Sequence, residues 1–260
     1  VDGDTKKLYS SLGWLERTFY GSSSKLYTEY FIASDTQDIR EDHRYFSDRG
    51  FNFWSSPVQH DFGEQVGQPI EVVFDGPDGV AINPVQLESL KADSLIAEMR
   101  GYVEQYGRTS KGFTPVVTSA HFVRDIDAAV EFHEKVLDMR LTIDKELTAP
   151  ESNHFLGLPE DARTRTVFVQ GAHMFGKVCL VKPLNYDCSD MVPLASAPNI
   201  GYLSQLFRVP DMDRALAACK DLGVEFFSQP ARTEFPSLGQ TDIAMVRHPG
   251  SGALIQVYRA

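Results

Sequence analysis

The chain has 260 residues, 42% of them hydrophobic and 23% charged, with a formal net charge of −11 at pH 7. This is an ordinary globular composition, long enough for a large core and for one or two domains. The acidic balance argues against nucleic acid as a partner, and no apolar run approaches the roughly 18 residues of a membrane span. Three cysteines, Cys179, Cys188 and Cys219, lack any CxxC spacing and cannot all pair, which fits a reduced, cytoplasmic protein. The polar opening residues, Val1 to Lys7, do not read as a signal peptide.

In chain order, residues 4–14 read as a helix with Leu8, Tyr9 and Leu12 on one face, followed by a strand over 15–20. With no strand before it and too few residues after it, this unit looks incomplete; a simple helical hairpin is the alternative. Residues 26–33 alternate in part and read as a strand. Ser34 and Asp35 can cap a helix carrying Ile39, His43 and Phe46, ended by Gly50. Residues 51–57 and 68–74 are strand candidates. Asp75-Gly76-Pro77-Asp78-Gly79 is turn chemistry that leads into a further strand. Leu87, Leu90, Leu95, Met99, Tyr102, Val103 and Tyr106 then keep helical spacing, which predicts one helix over 87–106 and a polar linker over 107–112.

The most informative stretch is 113–139. Residues 116–123 are apolar and β-branched, as in a buried strand. Asp125 and Asp127 can start a helix, and Ala129, Val130, His133, Val136 and Leu137 form its apolar face. A strand over 140–143, a polar irregular loop over 151–163 and a strand pair at 164–170 and 177–181 complete the unit; 185–199 reads as a linker. The pattern then repeats. Residues 200–209 are a strand, Pro210-Asp211-Met212-Asp213 is the turn, and Met212, Ala215, Leu216, Cys219 and Leu222 are the helical stripe, with Gly223 at its end. Val123-Arg124-Asp125-Ile126-Asp127 aligns with Val209-Pro210-Asp211-Met212-Asp213, and such repeats speak directly to architecture.

These residues, with the closing turn and strand from Arg247-His248-Pro249-Gly250-Ser251-Gly252 to Tyr258, resemble the vicinal oxygen chelate superfamily. Its members include glyoxalase I, bleomycin-resistance proteins and extradiol ring-cleaving dioxygenases. The resemblance implies an α+β fold of tandem βαβββ modules paired into curved mixed sheets, or half-barrels, in two domains. The expected division is 1–84 (an N-terminal pair with an incomplete first module), 85–112 (a linker helix) and 113–260 (a C-terminal pair holding a ligand cavity).

The resemblance also implies where chemistry should sit. Family enzymes hold a divalent metal between histidine on a first strand and glutamate on a last strand. The matching positions here are Thr118, Ser204, Asn83 and Gln256, all neutral and poor ligands for iron, zinc or manganese. No metal or other cofactor is therefore expected, unless residues that do not align bind one. His121 lies three residues from Thr118 and so faces the other side of the sheet, as a core histidine between sheet and helix. His133 and His43 read as core as well, while His60, His154, His173 and His248 sit in or near loops, and no pair has ligand spacing.

Strand parity turns Thr118, Ala120 and Phe122 together, likewise Ser204, Leu206 and Arg208, and likewise Leu254, Gln256 and Tyr258. The expected ligand-binding residues are Thr118, Phe122, Ser204, Leu206, Arg208, Leu254, Gln256 and Tyr258, with no catalytic residue assigned. Arg208 suits a carboxylate, phosphate or enolate; a strand-end arginine paired with aspartate or simply solvated is the alternative. No GxSxG, P-loop or dinucleotide fingerprint occurs. The expected function is binding of a small aromatic or carbonyl compound without the usual metal. The alternative is a metal-dependent ring-cleaving dioxygenase or a glyoxalase-type lyase or isomerase. The partner is then a small-molecule ligand or substrate, not nucleic acid or a membrane, with a homo-oligomer left open.

Overall fold

The computed structural model describes residues 20–23, 39–75, 81–106, 118–174, 176–188, 190, 192–194, 204–235 and 239–259. The helix expected over 4–14 and the strand expected over 26–33 lie outside these residues. The first described strand, β1 (Tyr20–Ser23), leads to α1 (Ile39–Ser47) and then to three two-residue strands, β2 (Val58–Gln59), β3 (Ile70–Glu71) and β4 (Phe74–Asp75). The six-residue β5 (Ala81–Gln86) follows and holds the sheet together in the order β1-β5-β3-β2, with β4 also paired to β5. β1 runs parallel to β5, placing Tyr20 beside Ile82. α1 covers this sheet with the buried residues Ile39 and Phe46, which pack on Ile70 and Val72 and on Phe74.

Two sequence expectations for this region are corrected. Residues 51–57 and 68–74 are not continuous strands. Phe53 makes only an isolated bridge to Phe74, and Pro57 and Pro69 cannot donate to a ladder. The long helix begins late: α2 spans Leu95–Tyr106, and 87–94 is irregular. Serine hydroxyls hold that irregular backbone. Ser89 Oγ donates to Lys91 O, and buried Ser94 accepts from Ala97 N at 3.1 Å, fixing the helix start. Leu90, assigned to the apolar stripe, is 84% exposed.

Next come β6 (Thr118–Phe122), α3 (Ile126–Lys135), β7 (Arg140–Leu147), α4 (Pro150–Phe155), β8 (Thr164–Gln170) and β9 (Lys177–Pro183), forming a sheet ordered β6-β9-β8-β7. α4 replaces part of the loop expected over 151–163, with a proline in its first turn. After a 3-10 turn at Val192–Leu194, the same topology returns as β10 (Ser204–Arg208), α5 (Met212–Asp221), β11 (Phe226–Phe235), β12 (Gly239–Arg247) and β13 (Leu254–Arg259), ordered β10-β13-β12-β11. In both units the first strand runs parallel to the last and the other pairs are antiparallel. The fold is thus α+β, with mixed sheets built from βαβββ units.

The repeat extends to single hydrogen bonds. Asp125 and Asp211 have extended backbone, and their carboxylates accept from Ala128 N and Arg214 N at 3.0 and 2.9 Å. One apolar core joins the 118–183 and 204–259 units through their helix-covered faces. Phe132, Val136 and Leu180 from the first and Cys219, Val246 and Ile255 from the second belong to it. At the seam, Arg124 N and Asp125 N both donate to Gly250 O, at 2.8 and 3.2 Å. A Cβ on Gly250 would stand 2.5 Å from Asp125 O, so the close approach requires glycine. No helix among the described residues is long and apolar enough to cross a membrane.

Candidate functional site

β6 has a different destination for each face. Thr118 and Phe122 point away from the shared core, toward the sheet of β5 and β3, and a cavity of about 140 Å³ lies between the two sheets. Its floor includes Phe168 from β8 and Cys179 and Val181 from β9. Glu71, Asn83 and Val85 come from β3 and β5, and Phe62, Met99 and Phe155 close the ends. The walls are mostly apolar, with a few polar groups among them, as small-molecule sites generally are.

Those polar groups are held firmly. Asn83 Nδ2 donates to Val72 O at 3.0 Å. His60 Nδ1 lies 3.1 Å from Ser152 Oγ of α4, tying the loop before β3 to the other sheet. Burial raises the Glu71 carboxyl above the usual range, against the opposing influence of His60 and a hydrogen bond with Asn83. The Lys177 ammonium, at the start of β9, is lowered to about 8 by burial, with Glu98 opposing the shift. Its Nζ donates to Met174 O. Burial pushes the Cys179 thiol up, so it lines the cavity as an inert apolar group.

The opposite face of β6 carries His121. It meets His133 of α3 and His248 of the β12–β13 turn, all three fully buried, with potential ligand atoms within 4.8 Å of one another. Ring centroids are 5.2 Å apart for His121–His248 and His133–His248 and 5.9 Å for His121–His133. Burial lowers His133 to about 4, against a hydrogen bond to Ala129 O. Burial also holds His121 and His248 well below the ordinary histidine range, and the neighbouring imidazoles push the same way. The sequence reading put His121 and His133 in the core and His248 in or near a loop, with no pair at ligand spacing; the structure buries His248 as well and brings it against the other two. Parity had placed His121, and helical spacing His133, in the same sheet–helix layer; that agreement was the available signal. His248 arrives from the neighbouring unit across the Gly250 seam, which no local pattern reveals.

Residues 116–257, more than half of the chain, match the family model of the Glyoxalase/Bleomycin resistance protein/Dioxygenase superfamily. The chain belongs to this superfamily. Its structure is similar to that of glyoxalase I from Zea mays, at 15% identity and a TM-score of 0.56 over 96% of this chain and 68% of that one. A point mutant of the maize protein gives 15% identity and a TM-score of 0.57 over 96% of this chain and 69% of that one. Likeness at this identity shows the shared fold. No curated protein matches the chain.

Within this superfamily fold the eight expected ligand residues fall in two places. Thr118 and Phe122 line the cavity together with Asn83. Ser204, Leu206 and Arg208 stand beside Leu254, Gln256 and Tyr258 along the parallel pair β10–β13, on another sheet. There Gln256 Nε2 donates to Ser204 Oγ at 2.8 Å, while Leu206 and Arg208 are exposed. Between the first strands of the two units, β6 and β10, Gln205 Nε2 donates to Ser119 Oγ at 2.7 Å.

A divalent metal at the cavity position would need imidazole or carboxylate donors. Thr118 and Asn83 offer a hydroxyl and a carboxamide, which do not fit a transition-metal ion. His60 and Glu71 also line the cavity, but among the described residues no third His, Cys, Asp or Glu converges with them.

Proposed function

We propose that this superfamily member binds a small aromatic or carbonyl compound in the cavity between the β5 and β9 sheets, without a metal at Thr118 and Asn83. The observation that carries this reading is the cavity itself. Aromatic walls from Phe62, Phe122 and Phe168 enclose about 140 Å³ beside a few polar groups, among them Thr118, Asn83 and Glu71. An apolar cavity of roughly 150 Å³ is enough to accept benzene, so one substituted ring or a compact carbonyl compound matches the space. With its carboxyl raised by burial, Glu71 keeps a proton more readily than an exposed glutamate and so can donate to a carbonyl oxygen. The Thr118 hydroxyl supplies a second polar contact from the opposite wall.

Calorimetry with phenol and benzaldehyde as probes tests the reading on the parent protein and on Val181→Trp, which fills the cavity from β9. Binding by the parent and its loss in the folded variant are expected. Equal affinity in both would place the ligand elsewhere.

A second reading has one observation in its favour. Arg208 makes no ion pair among the described residues, and it shares the open β10–β13 face with Ser204, Leu206, Leu254, Gln256 and Tyr258. That face suits an organic anion. A charge-assisted hydrogen bond contributes about 1.5–3 kcal/mol, so Arg208→Ala would weaken such binding by roughly one to two powers of ten. Unchanged affinity for a probe such as benzoate would remove this reading.

A further inference from the structure

We infer that His121, His133 and His248 form a binding site for one divalent transition-metal ion, and that the ion clamps the 118–183 and 204–259 units together. The three imidazoles come from a strand, a helix and a turn, and the turn belongs to the neighbouring unit. All three are fully buried, and their potential ligand atoms lie within 4.8 Å of one another.

Two of the three rings, His133 and His248, have one nitrogen already engaged. His133 Nδ1 lies 2.8 Å from Ala129 O. A carbonyl can only accept, so Nδ1 carries the proton and Nε2 presents a bare lone pair. His248 Nδ1 lies 3.0 Å from Ser251 Oγ, which also accepts from Ala253 N. The Nε2 atoms of His133 and His248 are buried and have no hydrogen-bond partner. An imidazole whose second nitrogen is held by a carbonyl or hydroxyl, with the first aimed into a shared space, is the arrangement metal-ligating histidines show.

The donor set selects the class of ion. Three neutral nitrogens without a carboxylate suit zinc, cobalt, nickel or copper, and exclude calcium or magnesium, which take oxygen. Zinc–nitrogen bonds of 2.0–2.1 Å put tetrahedral ligand atoms roughly 3.3 Å apart, so each ring need move by less than about 1 Å. The fourth position is left to water. The site is separate from the ligand cavity, because His121 faces the opposite side of β6 from Thr118 and Phe122. A buried water held by the same nitrogens is the competing occupant.

The test uses the full chain without a histidine tag. After zinc loading and dialysis, elemental analysis should give one zinc per chain, and the zinc absorption edge should show a shell of three imidazoles. Cobalt(II) added to chelator-treated protein should develop the visible bands of a tetrahedral ion, saturating at one equivalent. The thermal midpoint should rise with zinc. His133→Leu and His248→Leu should each lose the stoichiometric ion and the zinc-dependent rise in midpoint. If these variants do not fold, the edge spectrum and cobalt titration of the parent protein decide. Failure of the parent to retain zinc or cobalt would overturn the inference and leave water as the occupant. So would an ion with fewer than two imidazoles, or full binding in a folded His248→Leu variant.

Discussion

Replacing Gly250 by alanine should be among the most damaging single-methyl additions in the chain, for a reason of space alone. Gly250 is not among the glycines with positive φ, so an alanine meets no backbone prohibition there. Its new Cβ would instead stand 2.5 Å from Asp125 O, 2.7 Å from Ala129 Cβ and 3.2 Å from His248 Cε1. None of these is the loose end of a flexible side chain. Asp125 is the cap of α3, its carbonyl accepts from Ala129 N at 3.1 Å, and Ala129 is fully buried. The turn must therefore retreat, and it then stretches the bonds from Arg124 N and Asp125 N to Gly250 O. Overpacking costs typically 1–3 kcal/mol and each lost hydrogen bond about 0.5–1.5, and since retreat relieves overlap as it breaks bonds, a total of about 2–4 kcal/mol is expected. The control is Gly223→Ala, where φ is +65° and nothing lies within 4 Å; left-handed backbone alone costs roughly 1–2 kcal/mol. Urea unfolding reads both as midpoint shifts at constant slope. A Gly250→Ala variant no less stable than Gly223→Ala would show that the seam is slack and refute the argument.

The duplicated helix caps predict matched effects: Asp125→Ala and Asp211→Ala should each cost about 1 kcal/mol in urea unfolding, and a clear inequality would mean the two turns are not equivalent. Phe132→Ala, at a fully buried site in the shared core, should cost about 3–5 kcal/mol in thermal or urea unfolding. Lys177 gives a pH dependence. Its folded pKa of about 8 lies below the unfolded value of 10.5, so between these the unfolded chain binds more protons and stability rises with pH. The slope from this residue is at most about 1.4 kcal/mol per pH unit and should vanish in Lys177→Met; an identical pH profile in both proteins would contradict the buried ammonium.

The C-terminal half was legible because its signals are local. Val123-Arg124-Asp125 and Val209-Pro210-Asp211 each place a strand end and a helix cap within a few residues, and both helices start where those aspartates stand. The N-terminal sheet was less legible because three of its strands, β2, β3 and β4, are two residues long, and β3 and β4 are held by β5 rather than by their own periodicity. The stripe from Leu87 misled because spacing alone does not register the serine hydroxyls that hold 87–94 out of the helix. Parity along β6 correctly separated Thr118 and Phe122 from His121. It carried no information about which sheet would stand opposite, since that depends on how whole units pack.

This division of β6 also explains why its register must be firm. A shift by one residue would exchange the two faces of a strand. Ser119 and His121 would then enter the apolar cavity, and Thr118 and Phe122 would press into the layer of His133 and His248. The observed register sets Thr118 beside Lys177 and Phe122 beside Val181, so cavity-lining residues of β6 stand next to cavity-lining residues of β9. His121 is set beside fully buried Leu180 on the other face. Each face supports the same alignment for a separate reason, apolar walls on one side and three converging imidazoles on the other. A substitution that favours one face, such as His121→Leu, leaves the cavity wall in place, because the residues that build it alternate with those that build the histidine cluster.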